Sequence, residues 1–186
     1  HSDFVSKYIK SVESFLCSLP KKPDVVDLGC GDFVIGSKLR KFCEQYIAVD
    51  IFDDLIEFNK KKFSELNVDF RVLDITRDEL PGGDICFLRQ VLQHLSNESI
   101  CKFIKLLKNK YKYLILTEHF PETENFIPNV NKPDGPDVRL YNNSAVVLTL
   151  PPFDLKAIKE VDICETHSNS VEGFSGVLKT KIIQLY

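Results

Sequence analysis

With 186 residues, 44% of them hydrophobic and 27% charged, the chain has the length and composition of one folded domain with a proper core. Its net charge of −3 gives no basic footprint for nucleic acid, and no apolar run approaches the ~20 residues that span a bilayer. The six cysteines, at 17, 30, 43, 86, 101 and 164, form no C-x-x-C pair and no metal-ligand spacing, so no metal is expected and reduced thiols in a cytoplasmic protein are the economical reading.

Phe4, Tyr8, Val12, Phe15, Leu16 and Leu19 recur at three- and four-residue steps, which predicts an amphipathic helix within residues 1–20, ended by Pro20. Val25-Val26-Asp27-Leu28 reads as a strand buried on both faces and runs straight into Gly29-Cys30-Gly31-Asp32. Glycines directly after a strand make a turn with no side chain in the way, so a ligand reaches the backbone. Ile35, Leu39 and Phe42 then share one helical face. Strand, glycine turn and helix are how α/β folds place a nucleotide-like ligand at a strand's carboxyl end. The other reading of the same glycines is a tight turn and nothing more.

Tyr46-Ile47-Ala48-Val49-Asp50 is a second buried strand, ending in an acid about 20 residues past the glycines, the spacing at which a carboxylate receives ribose hydroxyls. A dinucleotide fingerprint wants a third glycine three residues after Gly31, where this chain has Val34, so pyrophosphate binding is disfavoured. Asp53 and Asp54 suit the positive end of a following helix. Residues 68–73 alternate as a third strand with Asp74 at its end, Pro81-Gly82-Gly83 is a turn, and residues 85–88 form a fourth strand. Ser96-Asn97-Glu98 caps a helix with Ile100, Phe103, Ile104 and Leu107 on its apolar face. Tyr113-Leu114-Ile115-Leu116-Thr117 is the fifth strand, closing with Glu118-His119. Residues 120–153 hold Pro121, Pro128, Pro133, Pro136, Pro151 and Pro152 and are expected to be an inserted loop that covers the substrate. Two β-like runs follow, residues 161–166 and 177–185, joined through Gly173 and Gly176. The alternation argues for a single α/β domain with a parallel sheet and helices on both faces.

Asp27-Leu28-Gly29-Cys30-Gly31 is similar to the D-x-G-x-G motif of the class I S-adenosylmethionine-dependent methyltransferases, and Asp50 matches the acid that ends their second strand. Val72-Leu73-Asp74-Ile75 resembles their third-strand end, and Gly83-Asp84-Ile85-Cys86-Phe87-Leu88 their fourth strand. Val91-Leu92-Gln93-His94-Leu95 looks like the segment that follows it. Some members have another glycine where this chain has Phe33.

The resemblance implies a three-layer α-β-α sandwich whose seven-stranded sheet is mostly parallel, with an antiparallel C-terminal strand. It implies S-adenosylmethionine as cofactor and methyl transfer to oxygen or nitrogen of a small molecule. Carried over position by position, Gly29, Cys30 and Gly31 lie against the methionine part, and Asp27 orders their loop and faces the ammonium. Asp50 takes the ribose hydroxyls, with Ile51 beside it. Asp74 meets the adenine amino group, Ile75 adds a backbone contact, and Arg89 or Gln90 lines the methionine end. The N-terminal helix either covers this site or simply packs on the sheet.

Methyl transfer asks the protein to align a nucleophile and exclude water, and a hydroxyl or ammonium acceptor also needs a base. His119, Glu118 and His94 fall near the carboxyl ends of strands four and five. His119 is the first choice because its ordinary pKa lies near neutrality, whereas His94 equally well fixes a turn. Arg139 and Tyr141 suit an anionic or aromatic acceptor, or ordinary loop packing. Leu88-Arg89-Gln90-Val91 is unlike the N-P-P-Y sequence that holds a flipped amino base, which argues against a DNA amino-methyltransferase. Two other functions stay open: a non-catalytic module that binds the same cofactor, and an oxidoreductase using a nicotinamide cofactor, against which Val34 stands.

Overall fold

Val25 to Leu28 form β1 (Val25–Leu28), in which every residue is buried, so short apolar side chains on both pleats are what the position demands. The computed structural model describes residues 2–123, 125–171 and 174–186. β2 (Tyr46–Asp50) and β4 (Ile85–Arg89) pair with β1 in parallel on either side, with Val25 opposite both Tyr46 and Ile85. β3 (Asp69–Val72) continues the parallel sheet beyond β2, and β5 (Tyr113–Pro121) continues it beyond β4. β7 (Phe174–Gln184) runs antiparallel to β5, and β6 (Lys159–Val171) lies outside β7 at the edge. The order is β3-β2-β1-β4-β5-β7-β6, the seven-stranded, mostly parallel sheet that was expected.

Strand alternation splits the core into two layers. On one face α1 (Ser2–Ser18), α2 (Val34–Leu39) and α3 (Asp53–Lys62) set Tyr8, Val12, Leu16, Leu39 and Ile56 against Val25, Ile85, Phe87 and Ile115. On the other, α4 (Asn97–Leu107) sets Ile100, Phe103 and Leu107 against Val26, Leu28, Cys86, Leu88 and Leu114. Ser96 caps α4, its side chain accepting from the Ser99 N–H at 3.2 Å. Among the described residues no helix is long and apolar enough to cross a membrane.

Val146, Leu148 and Phe153 join the α4 cluster, so the end of the connection after β5 packs on the sheet as part of its second layer. Side chains supply the hydrogen bonds that a helix would make for itself. Asn129 Nδ2 donates to the carbonyls of Val147 and Pro151, both at 2.9 Å, and its Oδ1 accepts the Val147 N–H at 2.7 Å.

β5 is longer than the sequence indicates, because β7 pairs with it residue for residue from Tyr113 opposite Gln184 to Pro121 opposite Gly176. Glu118 and His119 are therefore inside the strand rather than at its close, and alternation sends them to opposite faces. Gly176 belongs to β7, where a Cβ would come within 2.7 Å of His119 Nε2. Gly173, expected in the same connection, lies outside the described residues.

Candidate functional site

The turn after β1 is built on two left-handed glycines, Gly29 at φ +76° and Gly31 at φ +56°. The N–H groups of Gly29 and Cys30 both donate to Val49 O at 2.9 Å, tying the turn to β2. A Cβ on Gly29 would lie 2.4 Å from Val91 Cγ2, so this glycine lets the turn after β1 pack on the turn after β4. At Gly31 a Cβ would meet nothing within 4 Å, and its backbone faces open space. The two sides of Gly31 are nonetheless fixed: Asp50 Oδ2 accepts its N–H at 3.0 Å, and Asn59 Nδ2 donates to its carbonyl at 2.7 Å.

Phe33 explains how the chain does without a further glycine. It sits at φ +56° at the start of α2, is fully buried, and meets Tyr46, Phe63 and Phe70 edge to face at 4.9–5.3 Å. The left-handed conformation costs about 1–2 kcal/mol, while burying a phenylalanine yields about 1.5–3 kcal/mol and each ring pair about 0.5–1.5 more. Burial outweighs strain. Gly36 makes the room, since a Cβ there would stand 2.3 Å from the Phe33 ring.

A cavity of about 750 Å³ opens at the carboxyl ends of β1 to β4. Gly29 and Gly31 form one wall; Asp50, Ile51 and Phe52 follow β2, and Asp74, Ile75 and Thr76 follow β3. Arg89, Gln90 and Val91 close it from β4, and His94, Gly135 and Pro136 complete the rim. Asp50 is nearly buried; besides the Gly31 bond, its Oδ1 accepts the Phe52 N–H at 3.3 Å. A carboxylate offers about four acceptor positions, so two bonds leave capacity for a diol. Asp74 Oδ1 accepts the Thr76 N–H at 2.9 Å and its hydroxyl at 2.7 Å. Gln90 is left-handed at φ +56°, and its N–H donates to Thr117 O at 2.8 Å. The cavity thus gathers Gly29, Gly31, Asp50, Ile51, Asp74, Ile75, Arg89 and Gln90, all singled out in the sequence.

Asp27 and Cys30 lie elsewhere, in a niche of about 20 Å³ behind the glycine turn that also holds Tyr8, Tyr46 and Arg89. Asp27 accepts the Tyr46 hydroxyl at 2.9 Å. Burial pushes its pKa up to about 6, opposed by the Tyr46 bond and by Arg89. Burial raises the Cys30 thiol as well, with Asp27 and Asp50 adding to it, so this cysteine stays protonated. Gly29 and Arg89 line both spaces.

Neither Glu118 nor His119 lines the large cavity, a correction that follows from the length of β5. Glu118 is buried on the α4 face; its Oε1 accepts the Leu92 N–H at 3.2 Å, and burial pushes its pKa up to about 8. His119 stands opposite Leu178 on the α1 face, and burial lowers its pKa. His94 does line the cavity, from the 3-10 turn Leu92–His94. Its Nδ1 faces the Pro136 carbonyl at 3.1 Å and therefore donates, which leaves Nε2 to accept from the Gln93 amide at 3.2 Å. Burial keeps this imidazole below its ordinary pKa.

Arg139 does not reach the cavity. It is 1% exposed, and its guanidinium donates to Leu92 O at 3.0 Å, Val130 O at 3.2 Å and Asn97 Oδ1 at 2.8 Å. Tyr141, on the 3-10 turn Arg139–Asn142, is 40% exposed and outside the cavity wall. Asn59 was not anticipated, although a polar residue between Ile56 and Phe63 on the inward face of α3 was the available signal. Among the described residues no group of three or more His, Cys, Asp or Glu side chains gathers as a metal site.

A family model described as a methyltransferase domain matches residues 25–112, from β1 to the foot of β5, the stretch that carries the glycine turn and most of the cavity wall. Over these residues the chain is similar to methyltransferase domains, consistent with the class I superfamily. No curated protein matches this chain. Among solved structures it resembles the N-methyltransferase NodS from Bradyrhizobium japonicum WM9, in complex with S-adenosyl-L-homocysteine, at TM-score 0.65 and 12% identity, over 95% of this chain and 87% of that one. It also resembles TehB from Haemophilus influenzae, at TM-score 0.66 and 15% identity, over all of this chain and 62% of that one, less than two thirds of its length. The magnesium protoporphyrin IX methyltransferase ChlM from Synechocystis PCC 6803, with bound S-adenosylmethionine, superposes at TM-score 0.57 and 17% identity, over 95% of this chain and 78% of that one. At these identities the likeness is one of fold.

Proposed function

We propose that the large cavity binds S-adenosylmethionine and that the protein transfers its methyl group to oxygen or nitrogen of a small-molecule acceptor. The observation that carries this reading is the meeting of three features in one space: the open Gly31 backbone, the Asp50 carboxylate after β2, and the Asp74 carboxylate after β3. Asp50 suits the ribose hydroxyls, because a nearly buried carboxylate with acceptor capacity left recognises two adjacent donors. Asp74 commits Oδ1 to Thr76 and keeps Oδ2 for the adenine amino group. Arg89 and Gln90 suit the methionine end, with Asp27 behind the turn balancing the charge there.

When bound, the cofactor supplies a methyl group already activated by its sulfonium. What remains for this chain is to hold, orient and keep dry. A cavity of about 750 Å³ is within the usual range for small-molecule sites and leaves an acceptor to enter along the His94, Leu95 and Gly135–Pro136 side. A hydroxyl or ammonium acceptor must also lose its proton, and neutral His94 is the base available in the wall. A donor on the acceptor would replace the Gln93 amide at Nε2. NodS is described as an N-methyltransferase and ChlM as acting on magnesium protoporphyrin IX, which agrees with a small-molecule acceptor.

The test is calorimetric titration with S-adenosylmethionine and S-adenosylhomocysteine beside NADH, on wild type and Asp50→Ala. The expected result is binding of both adenosyl ligands, weakened by Asp50→Ala, and none of NADH. Well-folded protein that takes neither adenosyl ligand would sink the reading.

A further inference from the structure

We propose that Glu118 and Arg139 are positioning residues for the cavity, holding the 3-10 turn Leu92–His94 from its amide side and its carbonyl side. The inference rests on the cofactor reading above, because it takes the cavity as the working site.

The turn matters because of what flanks and ends it. Val91, against which Gly29 packs, and His94 both belong to the cavity wall. The turn makes few bonds of its own: His94 N–H to Val91 O at 3.1 Å and Leu95 N–H to Leu92 O at 3.0 Å. Its leading amides, like those of any helical turn, have no partner within it. Glu118 supplies one, accepting the Leu92 N–H at 3.2 Å, and the Gln93 N–H faces the same carboxyl group.

Arg139 takes the other end of the same peptides. Its Nη1 donates to Leu92 O at 3.0 Å, Nη2 to Asn97 Oδ1 at 2.8 Å, and Nε to Val130 O at 3.2 Å. One planar guanidinium thereby fixes the turn relative to the first residue of α4 and to the connection after β5. Both side chains are 1% exposed, and packing alone does not call for two ionisable groups in the core, where desolvation counts against each. A hydrogen-bonding task on the backbone between them does. Their shared object is a turn next to the proposed cofactor, so their effect should appear in ligand affinity and not only in stability.

The experiment is titration with S-adenosylhomocysteine at a temperature where every variant is folded, joined to amide hydrogen exchange and thermal unfolding. Glu118→Ala and Arg139→Lys are expected to weaken binding about tenfold each, the scale of one lost hydrogen bond to a charged or buried group, and to speed exchange at residues 92–95. Glu118→Gln is expected to restore most of the affinity, since an amide oxygen accepts the Leu92 N–H as a carboxyl oxygen does. Leu107→Ala, at the buried C-terminal end of α4, lowers the melting temperature without moving affinity. Should Glu118→Ala fail to fold, Glu118→Asp, one methylene shorter, is expected to lose affinity in the same way. Glu118 and Arg139 variants that bind as tightly as wild type, with exchange at 92–95 unchanged, would overturn the proposal. Wild type that binds no S-adenosylhomocysteine would instead remove the cofactor reading, and the exchange measurement would then decide the clamp alone.

Discussion

Asp50 closes on the Gly31 N–H at 3.0 Å, so the acid that ends β2 orders the turn that ends β1 before any ligand arrives. The same oxygen pair is then both scaffold and recognition group. Asp50→Asn keeps one acceptor but puts a donor where the Gly31 N–H or a ribose hydroxyl must point. We expect Asp50→Asn to lose roughly tenfold in S-adenosylhomocysteine affinity and Asp50→Ala more, by calorimetry, with one to three kcal/mol of stability lost, roughly the cost of an unsatisfied buried group.

Asn59 tests the other side of Gly31. It is fully buried, and its amide is the donor to the Gly31 carbonyl. Asn59→Leu removes the donor and leaves that carbonyl without it, while Asn59→Asp sets an acceptor against an acceptor. Both are expected to weaken cofactor binding although Asn59 does not line the cavity, Asn59→Asp more so at pH 8 than at pH 5.

Gly36→Ala is expected to destabilise the protein by about 1–3 kcal/mol, the usual penalty of overpacking a filled core, because the added methyl would stand 2.3 Å from the Phe33 ring. Denaturant unfolding measures it. Gly36→Ala with Phe33→Leu should lose less than the sum of the two single changes, since each relieves the other.

Two buried acids set the pH dependence of stability. Burial raises Glu118 from its ordinary 4.5 to about 8, and Asp27 from 3.8 to about 6. An acid whose pKa is raised by folding contributes stability that is full below the unfolded value and lost as pH rises to the folded one. Stability should therefore decline from about pH 4 to about pH 8. Glu118→Gln flattens the upper part of that slope and Asp27→Asn the part below about pH 6. Arg139 opposes the rise at Glu118, and Glu160, Lys179 and Lys181 line the small space beside it, so low-salt measurement gives the clearest slope.

The cavity was legible because its parts are local in sequence. A β-branched run that stops at an acid or a glycine announces a buried strand and the residue at its end; Gly29, Asp50 and Asp74 stand at such stops, Gly31 follows two residues after one, and Arg89 ends the fourth apolar run. The faces of Glu118 and His119 were not legible, because β5 owes its length to β7, whose pairing residues lie about 60 positions later in the chain. Arg139 looked like a ligand-binding residue because a charged group in a loop is usually exposed; its burial is decided by carbonyls at Leu92 and Val130 that only the folded chain brings together. Phe33 departed from the glycine pattern for a reason seen only in three dimensions, the aromatic cage that outweighs its strained backbone.

The connection over residues 125–153 also changes what unfolding releases. Proline at 128, 133, 136, 151 and 152 has few conformations to regain when the chain opens, so this stretch gives up less disorder on folding than a helix of the same length built from alanine or lysine. A segment with little repeating backbone order can then stay in place on a modest number of side-chain ties such as Asn129 and Arg139. It follows that replacing Pro128, Pro133 or Pro136 by alanine would loosen the layer without removing a single side-chain tie, chiefly by widening the denatured ensemble.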